Sequence, residues 1–136
     1  MIYALDSSVI SAILKNDKSV INRYRETAMQ GGDFIIPPIV FYEVLRGLYA
    51  KNLFNRMEKF ADFCNVLEIG EFNREIWKKS AQIHATLSKK GTPIGEKFDG
   101  DVFIAGYCII NGYTLLTLNA KDFERVDGLK FLDWKD

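Results

Sequence analysis

The chain opens with Ile2-Tyr3-Ala4-Leu5-Asp6-Ser7-Ser8, a short apolar run that ends at an acidic residue. The apolar part predicts a buried strand that ends at Asp6. Ser7 or Ser8 can cap a helix over residues 9–14, because a side-chain oxygen there accepts a hydrogen bond from a free backbone N–H. A buried strand that leads directly into a helix is typical of α/β proteins with a parallel sheet.

Short apolar strands alternate with helices along the rest of the chain. Further strands are predicted at residues 34–36, 66–69, 113–118 and 130–132. The predicted helices cover residues 19–29, 37–52, 55–63, 72–87 and 102–110. No internal repeat, low-complexity segment or linker interrupts this alternation. The sequence therefore predicts one domain over residues 1–136, an α/β fold whose mostly parallel five-stranded sheet is covered on both faces in a three-layer α/β/α arrangement.

The composition is that of an ordinary globular protein, with 48% hydrophobic and 26% charged residues among 136. Lys plus Arg and Asp plus Glu number 18 each, so the overall charge does not indicate a nucleic-acid-binding protein. If the protein does bind a nucleic acid, local basic patches must attract it. Cys64 and Cys108 lie far apart without a CxxC pair, which predicts buried apolar roles rather than a zinc site or a disulfide.

Residues 1–13 lack the basic start and long apolar run of a signal peptide. No window reaches the ~18 uninterrupted apolar residues of a membrane-spanning helix. We therefore expect a cytoplasmic protein with no membrane segment.

Acidic and amide side chains fall where the predicted strands and helices meet. Asp6 ends the first strand, Asn119 ends the fourth, and Glu43 lies in the helix after the second. Asp99 and Asp101 stand at the start of the helix that precedes the fourth strand. In an open parallel sheet, the functional crevice lies at the carboxyl ends of the strands, where the strand order reverses. We therefore expect these side chains to converge on one crevice.

Several carboxylates that meet without basic partners repel one another. A hard divalent cation, Mg²⁺ or Mn²⁺, relieves that repulsion and prefers oxygen ligands. Such a cation can lower the pKa of a bound water and stabilise charge on a phosphate oxygen. The acidic cluster therefore predicts metal-assisted hydrolysis of a phosphodiester.

Each of these residues also has an ordinary structural explanation. Asp6 could be a turn or cap residue, and Glu43 could form an intrahelical ion pair with Arg46. Asn119 could cap a short helix over residues 120–123. Of the two acids before the apolar helix at 102–110, at most one can be its cap, so the second favours a functional role.

Taken together, these segments resemble a PIN domain of the VapC family over essentially the whole chain. Leu5-Asp6-Ser7-Ser8 corresponds to the family's apolar strand ending in Asp-Thr-Asn, and Tyr42-Glu43-Val44-Leu45-Arg46-Gly47 to its helical Glu. The most diagnostic stretch is Gly91-Thr92-Pro93-Ile94-Gly95, followed by Asp101 three residues before Ile104-Ala105. The tail over residues 116–126 is similar to the family's Val-Thr-x-Asn-x-x-x-Phe-x-x-Val ending.

The resemblance implies a PIN-like fold and a Mg²⁺- or Mn²⁺-dependent endoribonuclease, the toxin of a VapBC-type toxin–antitoxin pair that inhibits translation. Asp6 and Asp101 would be the main metal ligands, and Glu43 would hold metal or activate water. Asn119 would orient water or metal, and Asp99 matches an additional acid of many members. The products would carry 5′-phosphate and 3′-hydroxyl ends.

Two positions depart from the family pattern. Ser8 replaces the usual Asn of the opening triplet. The extra residues between Gly95 and Asp101 leave open whether Asp99 or Asp101 is the dominant ligand, although the register favours Asp101.

The resemblance also implies partners: a transfer, ribosomal or messenger RNA substrate, a VapB-like antitoxin whose C-terminal segment blocks the active-site groove, a homodimer, and a heterotetramer or larger complex with the antitoxin. Arg46 and Lys97 are the favoured RNA-binding residues, because they neighbour the proposed ligands in sequence.

Two alternatives remain. Ser8 and Asn119 would also suit a catalytically silent PIN scaffold that binds RNA or a protein partner. A receiver-like signalling domain would need adjacent acids at the first strand and an Asp ending the third, and residues 66–70 end in no Asp.

Overall fold

The computed structural model describes residues 1–91 and 100–135. Its five strands are β1 (Ile2–Leu5), β2 (Asp33–Ile36), β3 (Glu68–Ile69), β4 (Thr114–Thr117) and β5 (Phe131–Asp133). Its six helices are α1 (Ser7–Leu14), α2 (Lys18–Met29), α3 (Pro38–Ala50), α4 (Phe54–Val66), α5 (Arg74–Lys89) and α6 (Gly100–Asn111). A short 3₁₀-helix follows β4 at Ala120–Asp122. The predicted order of strands and helices is confirmed.

All five strands are parallel and lie in the order β3-β2-β1-β4-β5. The chain adds β2 and then β3 on one side of β1, and returns to place β4 on the other side. The direction of winding therefore reverses between β1 and β4, which is where α/β proteins form their functional crevice.

Both faces of the sheet are covered. Ala4 and Leu5 are neighbours in β1 and point to opposite faces, yet both are fully buried. Leu115 and Leu116 in β4 are buried in the same way. Central parallel strands with two apolar faces require a layer of helices on each, so the predicted three-layer arrangement is confirmed.

Helix boundaries differ from prediction where local patterns are ambiguous. Val66 ends α4 with 78% of its surface exposed, so the predicted third strand begins only at Glu68. The cap of α1 is Asp6 rather than Ser7 or Ser8, because its carboxylate accepts a hydrogen bond from the Ser7 N–H. Cys108 is buried as predicted, whereas Cys64 is only partly buried.

Helix α6 packs closely along α5, which fixes the position of its first turn. Gly106 faces Ser80, and a Cβ added at Gly106 would collide with the Ser80 hydroxyl. The Ser80 Oγ itself donates to the carbonyl oxygen of Ile76 at 2.8 Å. None of the helices within the described ranges has the length and apolar content needed to cross a membrane.

Candidate active site

Asp6 is held rigidly at the end of β1. Only 3% of its surface is exposed, and its backbone N–H donates to the Leu116 carbonyl, which ties it to β4. Its Oδ1 accepts from the Ser7 N–H at 2.8 Å. Its Oδ2 accepts from Ser8 Oγ at 2.8 Å and from Thr117 Oγ1 at 2.7 Å. Burial raises the pKa of Asp6, while these three donors act in the opposite direction.

The hydroxyls of Ser8 and Thr117 connect this carboxylate to the loop after β4. Ser8 Oγ accepts from the Leu118 N–H at 3.0 Å, and Thr117 Oγ1 accepts from the Asn119 N–H at 2.9 Å. Each hydroxyl therefore donates to Asp6 and accepts from the neighbouring backbone. Ser8, which replaces the family's Asn, orders the site in this chain through a direct bond to the acid.

Glu43 lies in α3 beside the same crevice, and its Oε1 is buried with no hydrogen-bond partner among the described residues. Its pKa is raised to about 7, mainly by burial and then by the negative charges of Asp6 and Asp101. Arg46 lowers the pKa of Glu43, but it is the weakest of the four influences. A simple ion pair with Arg46 therefore does not account for the environment of Glu43.

Asp101 lies in the first turn of α6. Its pKa is also raised to about 7, first by burial and then by the charges of Asp6 and Asp122. Asp6 follows β1, Glu43 lies in α3 and Asp101 lies in α6, and the fold brings the three carboxylates within electrostatic range. Asp99 lies outside the described residues, so its place relative to Asp101 stays a prediction.

Asp122 is an acid of this site that the sequence interpretation missed. It lies in the 3₁₀-helix after β4, and its charge raises the pKa of both Asp6 and Asp101. Asn119 precedes that helix and makes no side-chain cap bond to it, so capping does not explain Asn119. The available signal was position, because Asp122 follows Asn119 by three residues, about one turn of a 3₁₀-helix.

The donor chemistry of the site suits a hard divalent cation. Carboxylate oxygens are the ligands that Mg²⁺ and Mn²⁺ prefer, and the buried Glu43 Oε1 has no hydrogen-bond partner in the described part of the chain. Within residues 1–91 and 100–135, no three acidic, histidine or cysteine side chains form a ready ligand set. This does not conflict with Mg²⁺, which commonly takes one or two carboxylates and keeps several waters.

A cleft of 230 Å³ adjoins the acidic crevice and is lined at that end by Ser7 and Glu43. Arg46 also lines the cleft, and its Cζ lies 5.3 Å from the centre of the Tyr42 ring. One of the two favoured RNA-binding residues is therefore beside the site. The other, Lys97, lies outside the described residues.

Comparisons with known proteins show which family has this sequence and fold. A family model described as PIN domain matches residues 3–129. Ribonuclease VapC2 of Rickettsia felis is 30% identical over 136 residues, covering 98% of both chains. The tRNA(fMet)-specific endonuclease VapC of Shigella flexneri is 26% identical over 134 residues, covering 97% of both. The solved structure of VapBC2 from Rickettsia felis, bound to a promoter DNA fragment, matches with a TM-score of 0.88 and 28% identity over 99% of this chain and 100% of that one.

Proposed function

The chain belongs to the PIN-domain family and, within it, to the VapC ribonucleases, and from this premise we propose that it is a metal-dependent endoribonuclease and the toxin of a VapBC-type pair. The observation that carries the proposal is the convergence of Asp6, Glu43 and Asp101, three carboxylates from distant parts of the chain, at the point where the sheet reverses its winding. The charges of Asp6 and Asp101 raise the pKa of Glu43, and the charge of Asp6 raises the pKa of Asp101. Such an arrangement destabilises the metal-free fold, which is typical of functional sites.

Asp6 and Asp101 would hold Mg²⁺ or Mn²⁺, and Asp122 would add negative charge nearby. When bound, the cation supplies a water of lowered pKa and stabilises negative charge on the phosphate. Asp6 presents its carboxylate in one orientation, because Ser7, Ser8 and Thr117 all donate to it. Asn119 follows Thr117 at the crevice and would orient water or the cation.

Glu43 would act as the proton acceptor. In the metal-free chain the pKa of Glu43 is about 7. A cation bound nearby would lower that pKa and leave the carboxylate ionised, so that it can accept a proton. Its Oε1 has no competing donor among the described residues. Glu43 Oε1 would take a proton from the water as its oxygen bonds to phosphorus. The bond between phosphorus and the 3′ oxygen would break, and that oxygen would take up a proton from solvent, leaving 5′-phosphate and 3′-hydroxyl ends.

The partners follow from the relatives. The solved relative from Rickettsia felis is a VapBC2 assembly on promoter DNA, so a VapB-like antitoxin is the expected partner of this chain. A homodimer, joined with antitoxin into a heterotetramer or larger complex, is the matching assembly. The name of the Shigella flexneri relative makes transfer RNA the first substrate to test.

The test is cleavage of a mixed cellular RNA pool by the purified, antitoxin-free chain. We expect discrete fragments with Mg²⁺ or Mn²⁺, no fragments in EDTA, and recovery when metal is restored. Sequencing of the fragment ends identifies the RNA and checks for 5′-phosphates. Absence of cleavage with both metals, from a chain that still binds RNA, would instead favour the catalytically silent scaffold.

A further inference from the structure

The cleft beside the acidic crevice runs between α1 and α3 and reaches the start of α4. Both α1 and α3 begin near the carboxyl ends of parallel strands and run away from that edge of the sheet. Ser7 and Glu43 line the cleft at the crevice, and Lys15 and Lys51 line it eight residues further along each helix. At 1.5 Å per residue, the cleft extends about 12 Å from the site.

Three cations line the far part of this cleft: Lys15, Lys51 and Arg56. None of the three forms an ion pair with another described residue. Glu43 is the one acid among the described residues that line the cleft, and it belongs to the active site. The cleft therefore has an acidic end and a basic end, and the basic end is not neutralised from within the described part of the chain.

Helix stability explains two of these cations but not the third. Lys15 and Lys51 follow the last residues of α1 and α3, where a positive charge suits the negative end of a helix. Arg56 lies in the first turn of α4, where the helix end is itself positive and disfavours a cation. An anion in the cleft would account for Arg56.

Gly47 lines the same cleft in the middle of α3. A Cβ added at Gly47 would meet no atom within 4 Å, so packing does not require a glycine there. Glycine within a helix costs about 1 kcal/mol relative to alanine. The fold therefore gains nothing from Gly47, whereas its missing side chain leaves the wall of the cleft open to a ligand.

We propose that this cleft holds the backbone of an unpaired RNA strand next to the scissile bond, with Lys15, Lys51 and Arg56 each contacting a phosphate. The proposal rests on the proposed function and adds the path by which the substrate reaches the site. A polyanion complements the basic end and connects it with the acidic end, where a phosphate would react. The cleft lies between two neighbouring helices and has a volume of about 230 Å³, so the proposal assigns it a single sugar–phosphate chain.

The experiment measures binding of a short fluorescein-labelled unpaired RNA by anisotropy in EDTA, from about 50 to 200 mM KCl. Each phosphate contact on a single strand contributes about 0.7 to the slope of log affinity against log salt. The Lys15→Gln/Lys51→Gln/Arg56→Gln variant should therefore flatten the slope by about 2. The control Lys78→Gln/Lys130→Gln/Lys135→Gln removes the same charge elsewhere and should leave most of the slope intact.

A second variant tests the cleft without changing charge. Gly47→Leu should bind the RNA at least several-fold more weakly while melting no lower than the parent. A duplex of the same sequence should bind more weakly and respond little to either change. An unchanged slope in the cleft variant, or equal flattening in the control, would overturn the proposal and leave the cleft to a protein ligand. Because binding is measured without metal or turnover, a failure of nuclease activity would not affect this result.

Discussion

Thr117 Oγ1 donates a 2.7 Å hydrogen bond to Oδ2 of Asp6, a buried contact between residues 111 positions apart. The same oxygen accepts from the Asn119 N–H, so one hydroxyl orients the acid at the end of β1 and the loop after β4. The carboxyl ends of β1 and β4 are thereby held in a fixed position relative to each other. The orientation of the Asp6 carboxylate in the acidic site therefore depends on Thr117.

Thr117→Val should show that dependence, because valine matches the shape of threonine but cannot donate or accept. We expect the free energy of unfolding of the metal-free chain to fall by about 1–3 kcal/mol, the cost of leaving buried polar groups unpaired. Urea denaturation measures it. Thr114→Val, at the start of the same strand, is the matched control and should change stability little. Equal losses in both variants would show that the hydroxyl of Thr117 has no special role.

The stability of the metal-free chain should fall as the pH rises. Glu43 and Asp101 have pKa values of about 7 in the fold, above their ordinary 4.5 and 3.8. Between those values the folded chain binds more protons than the unfolded chain, so raising the pH favours unfolding. We expect the free energy of unfolding to fall by an amount on the order of 2 kcal/mol between about pH 5 and 8. This is well below the energy equivalent of the two pKa shifts, because solvent reaches both carboxylates and screens their charges.

Urea denaturation in EDTA across this pH range measures the effect, and two comparisons identify its source. Asp101→Asn should flatten the profile, because one of the two titrating groups is then missing. Added Mg²⁺ should stabilise the chain most at the high end of the range, where both carboxylates are charged. A metal-free profile that is flat or rises with pH is incompatible with the proposed clustering of the acids.

Asp122 should contribute to metal binding although it is exposed to solvent. Its charge acts on both Asp6 and Asp101. We expect Asp122→Asn to weaken Mn²⁺ binding about threefold to tenfold, close to 1 kcal/mol for one partly solvated charge. Isothermal titration calorimetry measures the change. Glu124→Gln removes a charge from the same segment and should weaken Mn²⁺ binding less. A larger loss of affinity for Glu124→Gln than for Asp122→Asn would show that Asp122 does not belong to the metal site.

The packing of α6 against α5 should be intolerant of a methyl group at Gly106. An added Cβ there would collide with the Ser80 hydroxyl and lie 3.1 Å from the Ser80 nitrogen. We expect Gly106→Ala to lower the free energy of unfolding by about 1–3 kcal/mol, the usual cost of overpacking. Ser80→Ala in the same chain should recover only part of it, since the backbone contact remains.

Gly47→Ala is the control for that change, because Gly47 is also a glycine within a helix but has open space around it. This substitution should stabilise the chain, by up to about 1 kcal/mol. Thermal unfolding of the two variants side by side is sufficient. Equal stability of the Gly106→Ala and Gly47→Ala variants would contradict the close packing of α6 against α5, which positions Asp101.

Much of the fold can be predicted from the sequence because its signals are local. The apolar run before Asp6 predicts β1, and the helix predicted to begin at residue 37 begins at Pro38, within one residue. The alternation of strands and helices predicts the parallel sheet, and the position of Asp6 at a strand end predicts its place in the crevice. Each of these features depends on a short stretch of sequence, whose periodicity and cap residues predict its structure without reference to distant segments.

The parts that could not be predicted depend on contacts between distant segments. From the sequence, Thr117 is an ordinary strand residue; its contact with Asp6 exists only because β4 pairs with β1. Asp122 reads as a surface acid until the 3₁₀-helix brings its charge towards Asp6 and Asp101. From the sequence, Lys15 is only a residue at the end of a helix; in the fold it lines one cleft together with residues of α3 and α4. Sequence spacing carries no information on such neighbours without the topology.

We propose that the acidic crevice between β1 and β4 hydrolyses RNA with the help of a divalent cation. The most direct measurement is the single-turnover cleavage rate of one defined RNA fragment in Mn²⁺ by the parent chain, Asp101→Asn and Asp33→Asn. Asp33 serves as the control. It is an exposed acid at the start of β2, at the amino-terminal end of the parallel strands and therefore on the side away from the acidic crevice. We predict a loss of at least about 100-fold for Asp101→Asn, which is about 2.7 kcal/mol of activation free energy, and nearly the parent rate for Asp33→Asn. Cleavage at the parent rate by a folded Asp101→Asn variant would contradict the claim.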